Sequence, residues 1–433
     1  MSDIRSRVSV ATQTLLQNKL SSVSRALWVA LALLCVALSV YVLMRAKYSG
    51  EDSWHPMRSA LEVLQASNSE PLYQKLFFTD HIKFQYPPTA LLFFDFLSAI
   101  GISSPYALNI MNASLLILFA WAFAMFSAQV FGVVKWSGFR VPVGPIAFLL
   151  AVRFYPNNLA YQIGQIQLFL GLLFLLACWS ILNEKFVWAG SLVGIAATIK
   201  PQFAPLGLLA LWRSQWRFFG GLFTVGVIAL AVSIALFGWR THLEYFSVLN
   251  FLSKHGEYQH LNQSINGLLV RWLYSGPSLD RDPAGSIPQS AFPPYIELVY
   301  VATLVSTIFM LIIPFVIKSR ERDRISGLLE FCAASLLFTM ASPIAWVHHY
   351  NILLPMYVIA LRAGLERWSG AGLHIACATL IISFFLVGYP VVPASAPTAS
   401  SLNLLQSHVL IGALLLLGVL LAELRAPLKT IIG

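Results

Sequence analysis

Long apolar runs alternate with short polar ones from residue 26 to residue 424. They cover about 26–45, 86–101, 107–131, 141–155, 164–182, 187–199, 203–212, 217–238, 292–317, 325–341, 350–364, 369–390 and 402–424. A spanning helix needs roughly 20 mostly apolar residues. Membrane β-barrel strands alternate apolar and polar positions instead. The continuous, Leu-rich runs therefore predict an all-α polytopic membrane protein with about 11–13 membrane helices.

Two polar stretches, 46–85 and 239–291, are long enough to hold structure outside the bilayer. The first contains "DSWHPMRSALEVLQASN" from Asp52, which reads as an amphipathic helix lying on the membrane face, with Trp54, Leu61 and Leu64 toward lipid. Residues 1–25 read as a cytoplasmic N-terminal segment and 26–433 as one transmembrane domain. The N-terminal segment is polar and basic, and the run after it has the length of a span, so a cleaved signal peptide is not expected.

Orientation follows from the Lys/Arg bias of cytoplasmic loops. Arg5, Arg7, Lys19 and Arg25 precede the first span. Arg213, Arg217, "KSRERDR" from Lys318, Arg362, Arg367, Arg425 and Lys429 follow the same side in the second half. Both termini are then inside, and 46–85, 239–291, the segment around His348 and the loop 391–401 are outside. The middle admits two solutions. In one, every segment before residue 182 crosses and 187–212 is a single span broken at Pro201, which leaves Lys135, Arg140 and Lys185 not all inside. In the other, 86–101 does not cross fully and 187–212 is a hairpin tipped by Lys200-Pro201.

Composition agrees with the pattern. Of 433 residues 58% are hydrophobic and 11% charged, far from the quarter charged of a soluble domain. The net charge of +10 fits basic loops at anionic headgroups. No zinc-finger or aromatic-basic RNA-binding motif suggests nucleic acid. Cys35, Cys178, Cys332 and Cys377 each lie within an apolar run without a CxxC pair, and read as inert thiols.

Chemistry-bearing residues gather on the expected outer side. Glu51 and Asp52 stand at the first membrane exit. Asp52 fits a helix N-cap, and at the mouth of a bundle it also fits a proton acceptor. "FQYPPTALLFF" (Phe84–Phe94) starts a helix at its prolines and leads to the intramembrane Asp95. "YQIGQIQ" (Tyr161–Gln167) carries three glutamines suited to polar glue between helices. "ATIKPQF" sets Lys200 beside a helix-breaking proline, where it either snorkels or faces an anion. "HLNQSINGLLVRW" contains Asn262 and Ser264 as possible caps, with Arg271 two turns on. "SPIAWVHHYNILLP" places Trp346 at a headgroup belt before His348 and His349. Adjacent histidines face different ways on a helix, and with no HExxH or Cys cluster a zinc site is not indicated.

These strings, in this order and spacing, resemble glycosyltransferase family 87. Its anchors here are Asp52, Leu72-Tyr73, "F-x-YPP" with Tyr86, Gly164-Gln165, Lys200-Pro201, "NQS-x-x-G" from Asn262, Arg271 and "SP-x-x-W-x-HH" from Ser342. The resemblance implies a GT-C fold, an active site on the outer membrane face, and Asp52 as general base. It implies a polyprenol-phosphate sugar donor, mannose most often, and a hydroxyl acceptor on a glycolipid or glycan. The reaction would invert the anomeric centre through an oxocarbenium-like transition state. Lys200, Arg271, His348 and His349 are expected on the donor phosphate. Glu51, Arg58, Tyr86, Gln165, Asn262, Gln263 and Trp346 are expected substrate contacts. No cofactor is expected; a divalent metal is possible but not demanded, and no nucleotide fingerprint is seen. A flippase or transporter of lipid-linked sugars, or a surface-glycan polymerase or ligase, would use similar groups. Transporters often show paired broken helices, and only 187–212 looks broken here.

Overall fold

The computed structural model describes residues 25–46, 54–66, 70–136, 139–257, 259–273, 292–321, 323–391 and 403–429. Glu51 and Asp52 lie outside the described residues.

The apolar runs fold as helices, and prolines and glycines punctuate them. The first is α1 (Arg25–Arg45), mostly exposed along its length. Next comes α2 (His55–Gln65), with Pro56 in its first turn. A π-helical turn (Gln74–Thr79) and a 3-10 turn (Pro88–Ala90) lead into α3 (Leu91–Ala99). The Ser104 side chain caps α4 (Pro105–Phe131) by accepting from the Ala107 N–H. A two-residue antiparallel ladder pairs Lys135 with Arg140. Then follow α5 (Val143–Arg153), α6 (Tyr155–Gln162), α7 (Gln167–Leu182), α8 (Phe186–Ile199), α9 (Pro205–Trp212) and α10 (Trp216–Phe237). The second half contains α11 (Trp239–His255), α12 (Ile265–Leu273), α13 (Glu297–Val316), α14 (Arg324–Met340), α15 (Leu353–Arg367), α16 (Gly370–Gly388), α17 (Asn403–Gln406) and α18 (His408–Arg425). Among the described residues six helices, α1, α4, α10, α13, α16 and α18, are long and apolar enough to cross a membrane. Shorter apolar helices, among them α5, α7 and α8, complete the bundle.

One end of the bundle is basic and held by ion pairs. Arg213 pairs with Glu330, Arg324 with Glu184 at 2.7 Å, and Arg367 with Asp323 at 3.1 Å. Gln129 donates to Asn183 at 2.9 Å, which brings the end of α4 to the end of α7. The N–H of Arg320 bonds the Leu424 carbonyl, so α18 also finishes here.

These contacts choose between the two solutions for the middle of the chain. A cavity of about 60 Å³ at the basic end is lined both by Ile181 and Phe186 and by Arg213 and Gln215. Both ends of 187–212 are therefore at that end. The two arms lie along the same stretch of α10. A Cβ on Gly190 would stand 2.0 Å from the Phe218 carbonyl oxygen, and one on Gly207 would stand 3.0 Å from the Leu222 side chain. The segment is a hairpin whose tip is Lys200-Pro201. The nine residues of α3 reach only about 14 Å at 1.5 Å per residue, half of a ~30 Å hydrocarbon core. Pro88, Thr89 and Ala90 instead sit against the hairpin tip, where the Thr89 hydroxyl donates to the Thr198 carbonyl at 2.6 Å.

The amphipathic helix of the first loop is present, but it faces the other way from the expectation. Trp54 and Leu61 are buried, and the Trp54 ring packs on Phe94 with centroids 4.9 Å apart. Leu64 is half-buried against the same core. The nearby apolar face of α3 offers these side chains a better-packed surface than lipid. The N-cap position of α2 is Trp54, with no side-chain cap bond; Asp52, expected as the cap, lies outside the described residues.

Candidate functional site

Lys200 is where the hairpin turns. Pro201 has no N–H and ends α8; the backbone at Lys200 becomes extended, at φ −127° and ψ 106°. This turns the ammonium into the bundle, where the residue is 7% exposed. Lys200 Nζ donates to Gln167 Oε1 at 2.9 Å and contacts His349 Nε2. Gly164, at φ +67°, makes the bend between α6 and α7 that sets Gln165 and Gln167 at this end. Gln167 is held in turn: Asn351 Nδ2 donates to its carbonyl at 2.9 Å, and its own Nε2 donates to Asn351 Oδ1 at 3.3 Å. A Cβ on Gly171 would stand 2.2 Å from Asn351 Nδ2, so only glycine leaves room for that amide.

The histidines arrive on a 3-10 turn (Val347–Ile352) rather than a regular α-helix. His348 meets His349 edge-on at 4.8 Å, and Trp346 meets His348 at 5.5 Å. Among the described residues, Nδ1 of His348 and Nδ1 of His349 are both buried without a hydrogen-bond partner. Among the described residues no carboxylate pairs with Lys200. A buried ammonium without a counter-charge is costly in a low-dielectric setting. The cluster is therefore electrostatically complementary to an anion.

The "NQS" string does different work from that expected. Asn262 Nδ2 donates to the carbonyls of Glu257 (3.0 Å) and Pro343 (3.2 Å), and its Oδ1 accepts from the N–H of Ala345 at 3.1 Å. Gln263 Nε2 donates to the Gln406 carbonyl at 2.7 Å, and its Oε1 accepts from Leu410 N–H. Ser264 Oγ donates to the Pro343 carbonyl at 2.7 Å. Arg271 donates to the carbonyls of Gln259 (3.0 Å) and Asn262 (2.8 Å) and to Ser407 Oγ (2.6 Å). Asn262, Gln263 and Arg271 thus clamp three segments together. Most of these bonds go to backbone groups, with Ser407 Oγ as the side-chain acceptor for Arg271.

The clamp holds the histidine segment in place. Asn262 bridges to Trp346 in a single β-bridge, and Val347 N–H donates to the Leu261 carbonyl at 2.8 Å. Trp346 is half-buried, and its indole N–H donates to Glu257 Oε2 at 2.5 Å. Glu257 is a residue that the sequence did not single out. It is 1% exposed, and Oε1 also accepts from Gln85 Nε2 (3.1 Å) and Lys83 Nζ (3.3 Å). It therefore joins the segment before Tyr86 to the segment before His348. Its local string, "HGEYQH", has no periodicity or spacing that would mark it. Gly256 ahead of it, at φ +64°, fits tightly against Asn266.

Of the remaining expected residues, Tyr86 and Gln165 meet beside this core, and Glu51 lies outside the described residues. Tyr86 donates to Gln165 Oε1 at 3.4 Å, and burial pushes the Tyr86 phenol up to about 12. Arg58 and Asp95 are half-buried on α2 and α3. Trp54 buries an indole N–H that has no partner among the described residues. Lys200, His348 and His349 are brought together; Asn262, Gln263 and Arg271 form the frame behind them.

The model of the family described as Glycosyltransferase family 87 matches residues 84–343. A polyprenol-phosphate-mannose-dependent alpha-(1-2)-phosphatidylinositol pentamannoside mannosyltransferase of Mycobacterium tuberculosis (strain CDC 1551 / Oshkosh) is 24% identical over 301 residues. The match covers 67% of this chain and 61% of that relative, so it spans about three fifths of the relative's length. No solved structure matches the chain significantly.

Proposed function

The chain belongs to glycosyltransferase family 87, and from that premise we propose that it moves a sugar from a polyprenol-phosphate donor to a hydroxyl of a glycolipid or glycan. Mannose is the sugar in the relative's name, and it is the sugar proposed here. The observation that carries the reading is the buried Lys200 ammonium, which among the described residues has no carboxylate partner and is flanked by two histidines whose Nδ1 atoms have no described partner. That is the chemistry a phosphodiester needs, and above all the phosphate monoester that leaves.

In the proposed reaction the acceptor oxygen attacks the anomeric carbon from the face opposite the phosphate. The C1–O bond to phosphate breaks, and the bonding pair leaves with the polyprenyl phosphate. Lys200 and the donors beside it stabilise that charge where it develops. The hydroxyl proton passes to the Asp52 carboxylate, a contribution of about 10²–10⁴-fold. Asp52 is proposed as that base from the family resemblance; the described structure resumes two residues later at Trp54, which is buried against Phe94. One displacement inverts the anomeric centre. By the bias of basic loops, the basic end is cytoplasmic and the Lys200 end faces outward.

Binding of radiolabelled polyprenol-phosphate-mannose to purified protein in nanodiscs tests the anion site. Lys200→Gln is expected to weaken binding at least tenfold at unchanged thermal stability. Wild-type affinity in that variant would refute the assignment.

A further inference from the structure

The α11 helix has three kinds of face, and only two are explained by the fold. Tyr245, Val248 and Leu252 are buried against the protein. On that side Tyr245 donates to the Gln85 carbonyl at 3.3 Å, and Glu244 Oε2 accepts from the Tyr73 N–H at 3.4 Å. A second sector is polar and exposed: Arg240, Ser247 and Lys254. The third is apolar and exposed: Trp239 is 56% exposed, Leu243 50%, Phe246 63% and Leu249 39%. At 3.6 residues per turn these last four form one continuous stripe beside the polar sector.

Such a sector order matches a helix lying flat at a boundary, with protein on one side, water above and hydrocarbon below. A helix in water has no use for the stripe, and a helix across the membrane has no use for the polar sector. The stripe also continues a lipid-facing surface. The α10 helix exposes Val232 (43%) and Leu236 (58%) directly before Gly238, and Gly238, at φ +78°, bends the chain into Trp239. Tryptophan at such a position suits the headgroup level, and Arg240 and Lys254 on the polar edge suit anionic headgroups.

We infer that α11 is an interfacial helix that rests on the outer boundary of the bilayer hydrocarbon, with Trp239, Leu243, Phe246 and Leu249 inserted among the acyl chains. Through Tyr245 and Glu244 it fixes the 72–86 segment, and so Tyr86, at headgroup level. This inference needs only that the chain resides in a membrane, and it stands apart from the transferase reading.

The test places bimane on single cysteines in a Cys377→Ser background: Phe246→Cys, Leu249→Cys, Arg240→Cys and Ser247→Cys. The full chain is reconstituted in phosphatidylethanolamine–phosphatidylglycerol vesicles with 5-doxyl lipid. Quenching at 246 and 249 is expected to exceed that at 240 and 247 by at least threefold. Equal quenching at all four positions would overturn the inference. Protection of 246 and 249 together with disulfide cross-linking at 246 would also overturn it, by showing a second copy on the stripe. Transfer activity enters neither readout, so a failure here and a failure of the transferase reading are distinguishable.

Discussion

Glu257→Gln is the most informative single change outside the Lys200 cluster. The native carboxylate accepts three side-chain donors: the Trp346 indole, the Gln85 amide and the Lys83 ammonium. Glutamine keeps one oxygen and turns an amide N–H₂ toward a donor that had an acceptor. Hydrogen bonds to charged groups contribute about 1.5–3 kcal/mol each. One such bond is lost outright and the other two weaken. Lys83 is 17% exposed, so water partly compensates its lost partner. The net loss is then about 2–4 kcal/mol. Part of it falls on stability and part on the setting of Trp346, whose ring lies against His348. If half falls on the setting, kcat/KM drops by about 5–30-fold, at 1.4 kcal/mol per tenfold. The assay is a double-mutant cycle with Trp346→Phe, reading both kcat/KM and detergent melting temperature. Strongly non-additive kcat/KM values are expected, because Trp346→Phe already removes the N–H that Glu257 holds. Additive effects, or a lower melting temperature with kcat/KM unchanged, would refute a positioning role and leave Glu257 as a structural carboxylate.

Arg271→Met should lower unfolding stability by about 3 kcal/mol, since it leaves the Gln259 and Asn262 carbonyls and Ser407 Oγ without their donor. Donor affinity of the folded fraction should stay at the wild-type value, and a loss of affinity without a loss of stability would return Arg271 to the donor phosphate. Asp323 caps α14 through the N–H groups of Ile325 and Ser326 and pairs with Arg367. Burial pushes its carboxyl up, but the Ser326 and Ile325 donors and the Arg367 guanidinium outweigh this and hold it below its ordinary value. A depressed folded pKa stabilises above the unfolded value and is lost as pH falls through the folded one. Asp323→Ala should therefore cost about 1 kcal/mol in melts at pH 7, with the gap to wild type narrowing below about pH 4; a gap constant across that range would contradict it.

The membrane class and the placement of most helices were legible because apolar runs of spanning length have few alternative folds. The hairpin at Lys200-Pro201 was half legible. The proline announces a break, but a broken span and a hairpin share the same composition. Only the packing of Gly190 and Gly207 on α10 decides between them. Lys200 and the histidine pair were legible as a set, because charged and titratable groups are rare in apolar surroundings. The frame was not. Asn262, Gln263 and Arg271 have the functional groups of a binding site, and whether an amide meets a ligand or a distant carbonyl depends on long-range contacts such as Asn262 with Pro343. Trp54 and Leu61 were misread for a related reason: an amphipathic stripe shows that a helix has an apolar neighbour, and not whether that neighbour is lipid or α3.

The most direct test of the central claim is sugar transfer by purified protein in lipid. Radiolabelled polyprenol-phosphate-mannose is the donor, a glycolipid extract the acceptor, and wild type is run beside Asp52→Asn. Transfer by wild type is expected, with a loss of at least a hundredfold in the variant and donor binding retained. Equal transfer by both proteins would contradict Asp52 as the base, and donor bound but never transferred by wild type would contradict the enzyme itself.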